Sequence, residues 1–192
     1  QSLIEAGARL AAEEGVGAVK TSALARLLGV SSGAPFRHFK TRDALLIAIA
    51  EEGARRQLAL MHAAAAAIDD PADALQAMGV AYVRWAVENP GYFRVLSRAE
   101  SLAGSEVLRA QSQLHLEQMD DDFPSRRADP EVCLLTGQSA AVLAARAMVY
   151  GLARMCVDGL LGDVDGDISA RLAREATDVL GRGLEHLHGE PR

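Results

Sequence analysis

Between Gly15 and Arg42 the chain carries five cations, Lys20, Arg26, Arg37, Lys40 and Arg42, and no carboxylate. The 192 residues together have a formal net charge of −6, so this +5 leaves −11 for everything else. A cationic segment on an acidic body suits a polyanion, of which nucleic acid is the obvious one; a solvated face is the plain alternative. What lies among the cations favours the first. Ser31, Ser32, Gly33 and Ala34 are small, and Pro35 in a first helical turn forfeits only an amide that has no helical partner, so the backbone there can approach base edges. Arg37, His38, Lys40 and Arg42 follow in quick succession where phosphates would lie, and such contacts position a protein without reading sequence. Phe39 is expected in the core, and Phe36 is divided between packing and the DNA backbone.

Other patterns invite other chemistry. Gly29-Val30-Ser31-Ser32-Gly33 satisfies the G-x-S-x-G of a hydrolase elbow, but that geometry needs a strand before the serine, and Ala23 to Leu28 reads as helix. Glu185 and His188 form a single Glu-x-x-His, whereas a di-iron bundle needs two such pairs and two further carboxylates. Asp163, Asp165 and Asp167 begin like a calcium loop, yet Ile168 and Arg174 occupy the positions of its required glycine and glutamate, which makes it a solvated loop. His115 is isolated among apolar residues. No enzyme activity, metal or cofactor is expected. Cys133 and Cys156 lie far apart in what reads as one helix, so no disulfide follows and a cytoplasmic setting fits. The longest uncharged stretch, 132–145, falls short of the roughly 18 apolar residues of a membrane span, and Gln1 opens directly into an amphipathic pattern rather than a secretion signal.

The elements that must position the cations are helical. Hydrophobic residues make up 49% of the chain but aromatic ones only 4%, and alanine and leucine dominate, which favours helix over strand. Leu3, Gly7, Leu10 and Ala11 recur at helical spacing, and Gly15 sits where a left-handed residue would end that helix. Thr21 or Ser22 can cap a short second helix through Leu28; Gly29 supplies a tight turn, and Ser31 or Ser32 caps a third helix from about 32 to 38. Ala25 is small where two helices cross, and Leu24, Leu28 and Val30 are expected to bury against the first helix. Two short helices flanking a glycine turn form a helix-turn-helix, whose second helix enters the major groove.

These residues carry a family resemblance. Ile4, Ala6, Gly7, Leu10 and Gly15, then Leu24-Ala25, Gly29-Val30-Ser31 and Gly33-Ala34-Pro35-Phe36-Arg37-His38-Phe39 with Leu45, resemble the DNA-binding domain of tetracycline-repressor-like (TetR/AcrR-type) regulators. The resemblance covers about the first quarter of the chain and implies a homodimeric, all-helical repressor whose larger domain binds a small molecule. It implies that Phe36, His38 and Arg42 stand at phosphate-contacting positions and that Ala34 and Pro35 face bases. Three residues depart from the family's pattern: Phe36 lacks the usual tyrosine hydroxyl, Lys20 replaces the usual capping serine or threonine, and Ser22 stands where arginine is frequent. Affinity would then lean on Arg26, Arg37 and Lys40. The same departures admit a rival, a helical ligand-binding or assembly module with a vestigial DNA domain.

Beyond residue 45 the periodicity predicts a second, larger helical domain over 46–188, about nine helices in all. Thr41 can cap a long helix from Arg42. Leu75, Met78, Gly79, Tyr82, Val83 and Ala86 mark an amphipathic helix closed by Asn89-Pro90, and a short helix with Tyr92, Phe93 and Leu96 follows. Segment 131–159 is apolar on several faces and reads as buried almost all round. The last helix aligns Leu172, Ala176, Val179, Leu180, Gly183, Leu184 and Leu187, and these two helices can pair with their copies across a two-fold axis. Arg146, Tyr150, Arg154 and Asp158 share a stripe, on which Arg154 can pair with Asp158. Ala145 to Ala153 resembles a tryptophan-histidine-glycine signature in a subgroup of the same family, with Arg146 and Tyr150 at the tryptophan and histidine positions. Tyr82, Trp85, Phe93, Met119 and Tyr150 are candidates to line a ligand cavity, with Arg146 as a carboxylate anchor or part of a structural ion pair; residues of these types are more often plain core. The expected partners are a palindromic double-stranded operator, an unidentified small-molecule effector and a second copy of the chain.

Overall fold

The computed structural model describes residues 3–31, 33–98, 103–113 and 140–189, with the side chains of Phe36 and 184–189 excepted. Among the described residues there are eight α-helices and no strand: α1 (Leu3–Glu13), α2 (Thr21–Leu28), α3 (Ala34–His38), α4 (Arg42–Ala65), α5 (Pro71–Glu88), α6 (Pro90–Leu96), α7 (Ala140–Val157) and α8 (Gly166–Gly189). A 3-10 turn, Val16–Ala18, links α1 to α2, and residues 106–113 are also helical. The all-helical expectation holds.

Local chemistry starts several of these helices. Thr41 Oγ1 accepts from the Ala44 amide at 3.0 Å, and Asp70 Oδ1 accepts from Ala72 and Asp73 at 2.9 and 3.0 Å, each satisfying donors with no intrahelical partner. Asp165 Oδ1 accepts from Ile168 at 2.8 Å, so one carboxylate of the acidic loop is the cap of α8. Pro90 opens α6 one residue after α5 ends, with Asn89 between them. The alanine run from Ala63 leaves the helix after Ala65, so α4 ends before the Asp69-Asp70-Pro71 breaker.

The chain divides into two units, Gln1–Gln57 with Asn89–Gln111, and Leu58–Glu88 with Ser112–Arg192. The division therefore differs from a boundary at residue 45, because α6 packs on α1. Arg94 Nη1 donates to the Ala12 carbonyl at 2.7 Å, satisfying an acceptor at the end of α1. Tyr92 and Phe93 are buried in this unit with Leu10, Val19, Leu24, Leu45 and Ile49. In the second unit α5 runs antiparallel to α8: Gln76 donates to Asp178, Gly79 lies against Thr177, and Arg84 pairs with Asp167 at 3.5 Å. Gly79 also faces Val149 of α7, so α5 packs against both later helices.

On α7 the reading of burial all round is not met within one chain. Val142, Ala153 and Cys156 are buried, whereas Leu143, Tyr150 and Met155 are exposed, as are Leu160, Leu161 and Val179 beyond it. By length and composition alone α7, with a mean hydropathy of 1.5, could cross a membrane. Its packing on α5 and α8 and its Arg146 and Arg154 are those of a helix in a folded unit.

A charged cluster joins three helices of the first unit. Glu52 accepts from Arg55 at 2.8 Å and from Arg56 at 2.6 Å; Arg56 also lies 3.7 Å from Glu5 and stacks 5.0 Å from the centre of the Tyr92 ring. The Arg55 hydrogen bond, assisted by Arg56 and opposed by burial, lowers the Glu52 carboxyl from 4.5 to about 2. A depressed carboxyl stabilises the fold above its unfolded pKa and loses that contribution as pH falls through the folded value. Urea midpoints of the chain and of Glu52→Gln should differ by a constant amount above about pH 5 and converge between about pH 4.5 and 2; a gap that does not change with pH means the carboxylate is not the source.

Candidate nucleic-acid interface

The turn between α2 and α3 is built by backbone hydrogen bonds. Gly29 adopts φ 66° and ψ 28°, its amide donates to Arg26 at 3.3 Å and that of Val30 to Ala25 at 3.0 Å, which are the two bonds of a glycine-terminated helix end. Gly15 lies two residues past the end of α1 with φ 84° and ψ 164°, a positive φ but not the left-handed helical conformation expected of a helix terminator, and it is the N-cap of the 3-10 turn. Leu24 and Ala25 are buried where α2 meets the rest of the unit, whereas Val30 is 45% exposed and so does not join that core.

The predicted caps of both short helices are not the ones used. Lys20, in an extended conformation, is the N-cap of α2 and makes no side-chain cap bond; Thr21 is already the first helical residue and only 8% exposed. Lysine has no acceptor to offer. At α3 the N-cap is Gly33, and the turn is closed by the Ala34 amide donating to the Ser31 carbonyl at 2.9 Å. Ser32 lies outside the described residues.

The sequence-derived DNA residues separate into two groups. Lys20, Arg26, Ser31, Gly33, Arg37, His38 and Lys40 are exposed, and Ala34 is half-buried. Thr21 and Pro35 are buried, so Pro35 does not present its ring at the surface where a base would be met. Phe39 is half-buried rather than a core residue, and nothing is described of the Phe36 side chain. Arg42 is half-buried and donates from Nε to Val19 O and from Nη2 to Val16 O, both at 2.7 Å. A guanidinium committed to two carbonyls differs from one held out for a phosphate. The cations of this segment that remain exposed are Lys20, Arg26, Arg37 and Lys40, and His38 is exposed with them.

Segment 29–33 follows the helix α2, which is not the strand a hydrolase elbow requires at Ser31.

The ligand candidates also separate. Tyr82 on α5 is within electrostatic reach of both Arg146 and Tyr150 on α7. Burial, reinforced by Tyr150 and opposed by Arg146, pushes the Tyr82 phenol well above its ordinary value; desolvation pushes the Arg146 guanidinium down, with Tyr82 opposing. Trp85, one turn beyond Tyr82, is 1% exposed, and Tyr150 is 43% exposed. Phe93 belongs to the other unit, fully buried in α6, and Met119 lies outside the described residues. Arg154 pairs with Asp158 at 2.8 Å, as the i, i+4 spacing predicts. The packing of α6 on α1 had no signal in the sequence, because Gly91 after Asn-Pro reads equally well as a simple helix start.

Residues 3–49 match the family model of bacterial regulatory proteins of the tetR family, and residues 75–180 match that of the tetracyclin repressor-like C-terminal domain. No curated protein sequence matches the chain. Among solved structures, the TetR family transcriptional regulator PfmR of Thermus thermophilus shares 23% identity over 95% of this chain and 98% of its own, at a TM-score of 0.69. The fatty acid degradation regulator FadR of Bacillus halodurans shares 16% identity over 99% and 98%, at 0.70. A TetR variant of Acinetobacter baumannii AYE in complex with minocycline shares 20% over 98% and 97%, at 0.61.

Proposed function

This chain belongs to the tetR family of bacterial regulatory proteins, and on that premise we propose that it is a ligand-responsive transcriptional repressor acting on cytoplasmic DNA. The observation that carries the reading is the surface around α2 and α3, where Lys20, Arg26, Arg37 and Lys40 are exposed in a segment without a single carboxylate. Two copies would place their α3 helices in successive major grooves about 34 Å apart, Arg37 and Lys40 on phosphates and Gly33 and Ala34 nearest the bases. The exposed Leu143, Tyr150 and Met155 of α7 and Val179 of α8 support a two-fold dimer in which these helices meet their copies.

The effector would lie by Tyr82, Arg146 and Tyr150, where a half-buried guanidinium in the electrostatic reach of the Tyr82 phenol suits a small molecule with an acidic group. A ligand that binds one conformation of the second unit better than another shifts the population toward it. The operator would then be released because the two recognition helices no longer match groove spacing.

The test is selection from a randomised duplex pool by the full-length protein at moderate salt, followed by a screen of small organic acids against the selected complex. A palindromic motif released by one such acid is the expected result. Salt-sensitive binding with no recovered motif would instead favour a helical ligand-binding module with a vestigial DNA domain.

A further inference from the structure

Arg42 opens α4, but its side chain serves the segment that precedes α2. Nε donates to the Val19 carbonyl and Nη2 to the Val16 carbonyl, each at 2.7 Å, so one planar guanidinium spans the 3-10 turn that joins α1 to α2. The turn's own bonds are longer, 3.1 Å from Ala18 to Gly15 and 3.2 Å from Val19 to Val16. Immediately after it, α2 begins at Thr21, and its N-cap, Lys20, makes no side-chain cap bond. The start of α2 thus lacks the local acceptor that usually fixes it and has instead a two-point clamp from a residue 23 and 26 positions away.

We propose that Arg42 is a positioning residue: it braces the α1–α2 turn, and through it the placement of α2, Gly29 and α3, rather than contacting a DNA phosphate. The fork geometry of the guanidinium is what the role requires, since a lysine ammonium is a point charge that cannot hold two carbonyls in fixed directions. The buried Val19 side chain beside the clamped carbonyl anchors the turn in the core, so a shift there moves α2 as a body. The inference rests on the reading of α2 and α3 as a DNA-binding surface.

The roles are separated by salt dependence. If Arg42 held a phosphate, Arg42→Gln would lower the slope of log affinity against log salt by about two per dimer and weaken selected and random duplexes alike. The brace predicts an unchanged slope and unchanged random-duplex affinity, with the selected duplex bound at least about tenfold more weakly, because positioning matters most to base readout. Arg42→Lys, which keeps the charge, should behave like Arg42→Gln; an Arg42→Lys protein with unaltered operator affinity overturns the brace. Should neither variant fold, side-chain hydrogen exchange in the unaltered chain still decides. The Arg42 Nε proton is expected to exchange slowly without DNA and to be unaffected by adding it, whereas free exchange that slows only on adding duplex overturns the proposal. If the unaltered chain binds no duplex at all, the regulatory reading fails while the exchange measurement still reports on the brace.

Discussion

A Gly91→Ala protein should lose a large share of the stability of the unit that carries α2 and α3. A methyl group built on Gly91 falls on the Ala8 carbonyl oxygen, well inside any real contact distance, with the Ala8 carbonyl carbon 2.7 Å and the Ala12 nitrogen 3.1 Å away. The obstacle is helix backbone, which cannot rotate aside as a side chain can. Ala8 and Ala11 are themselves buried, and α6 is tied to the end of α1 by Arg94, so neither helix can retreat without breaking contacts. Overpacking typically costs 1–3 kcal/mol, and an immovable neighbour puts this case at about 3 kcal/mol or more. Against a total of roughly 5–15 kcal/mol for a folded domain, that is a large share. Urea unfolding followed by helical signal should show a midpoint much lower than that of the unaltered chain; a midpoint within error of it would mean that α6 does not sit against α1 this closely in solution.

Arg37→Ala combined with Lys40→Ala should weaken operator binding by about three to four orders of magnitude at 0.1 M salt while leaving the fold intact. Both side chains are exposed, so stability should change by no more than about 0.5 kcal/mol. A dimer loses four cations. With about 0.9 counterions released per phosphate contact, the slope of log affinity against log salt falls by roughly 3.6, and the two proteins' lines converge toward about 1 M salt. Binding lines that run parallel to the unaltered protein's would show that neither residue touches a phosphate. Leaving Arg42 in place is deliberate, because its loss would disturb the turn before α2 and confuse positioning with charge.

The sequence made these targets unequally visible. The exposure of Arg37, in the last turn of α3, and of Lys40, just after it, could be expected from residue type alone, since an unpaired cation is costly to bury. Exposure does not follow in the same way for Pro35, which is buried, or for Arg42, which is half-buried. Pro35 stands between Ala34 and Phe36 in a five-residue helix, and which way its ring turns depends on how that helix is set against its neighbours. Arg42 has the charge of a phosphate contact, and local sequence does not report that two carbonyls lie within its reach. Among the ligand candidates, Tyr82 shares an electrostatic environment with Arg146 and Tyr150, but Phe93, an equally good aromatic by sequence, went to the other unit because α6 turns to α1.

By itself the sequence determines the helices, the glycine turn at Gly29, the cap at Thr41, and the segregation of positive charge into residues 15–42. These features are local: periodicity, left-handed glycine and side-chain capping act over a few residues, and charge is additive along the chain. Tertiary structure alone decided that α6 belongs with α1, that Gly91 must lack a side chain, and that Arg42 clamps the carbonyls of Val16 and Val19. Each of these joins groups more than 20 residues apart, and which of the many surfaces offered by amphipathic helices meet is set by packing that no local pattern encodes.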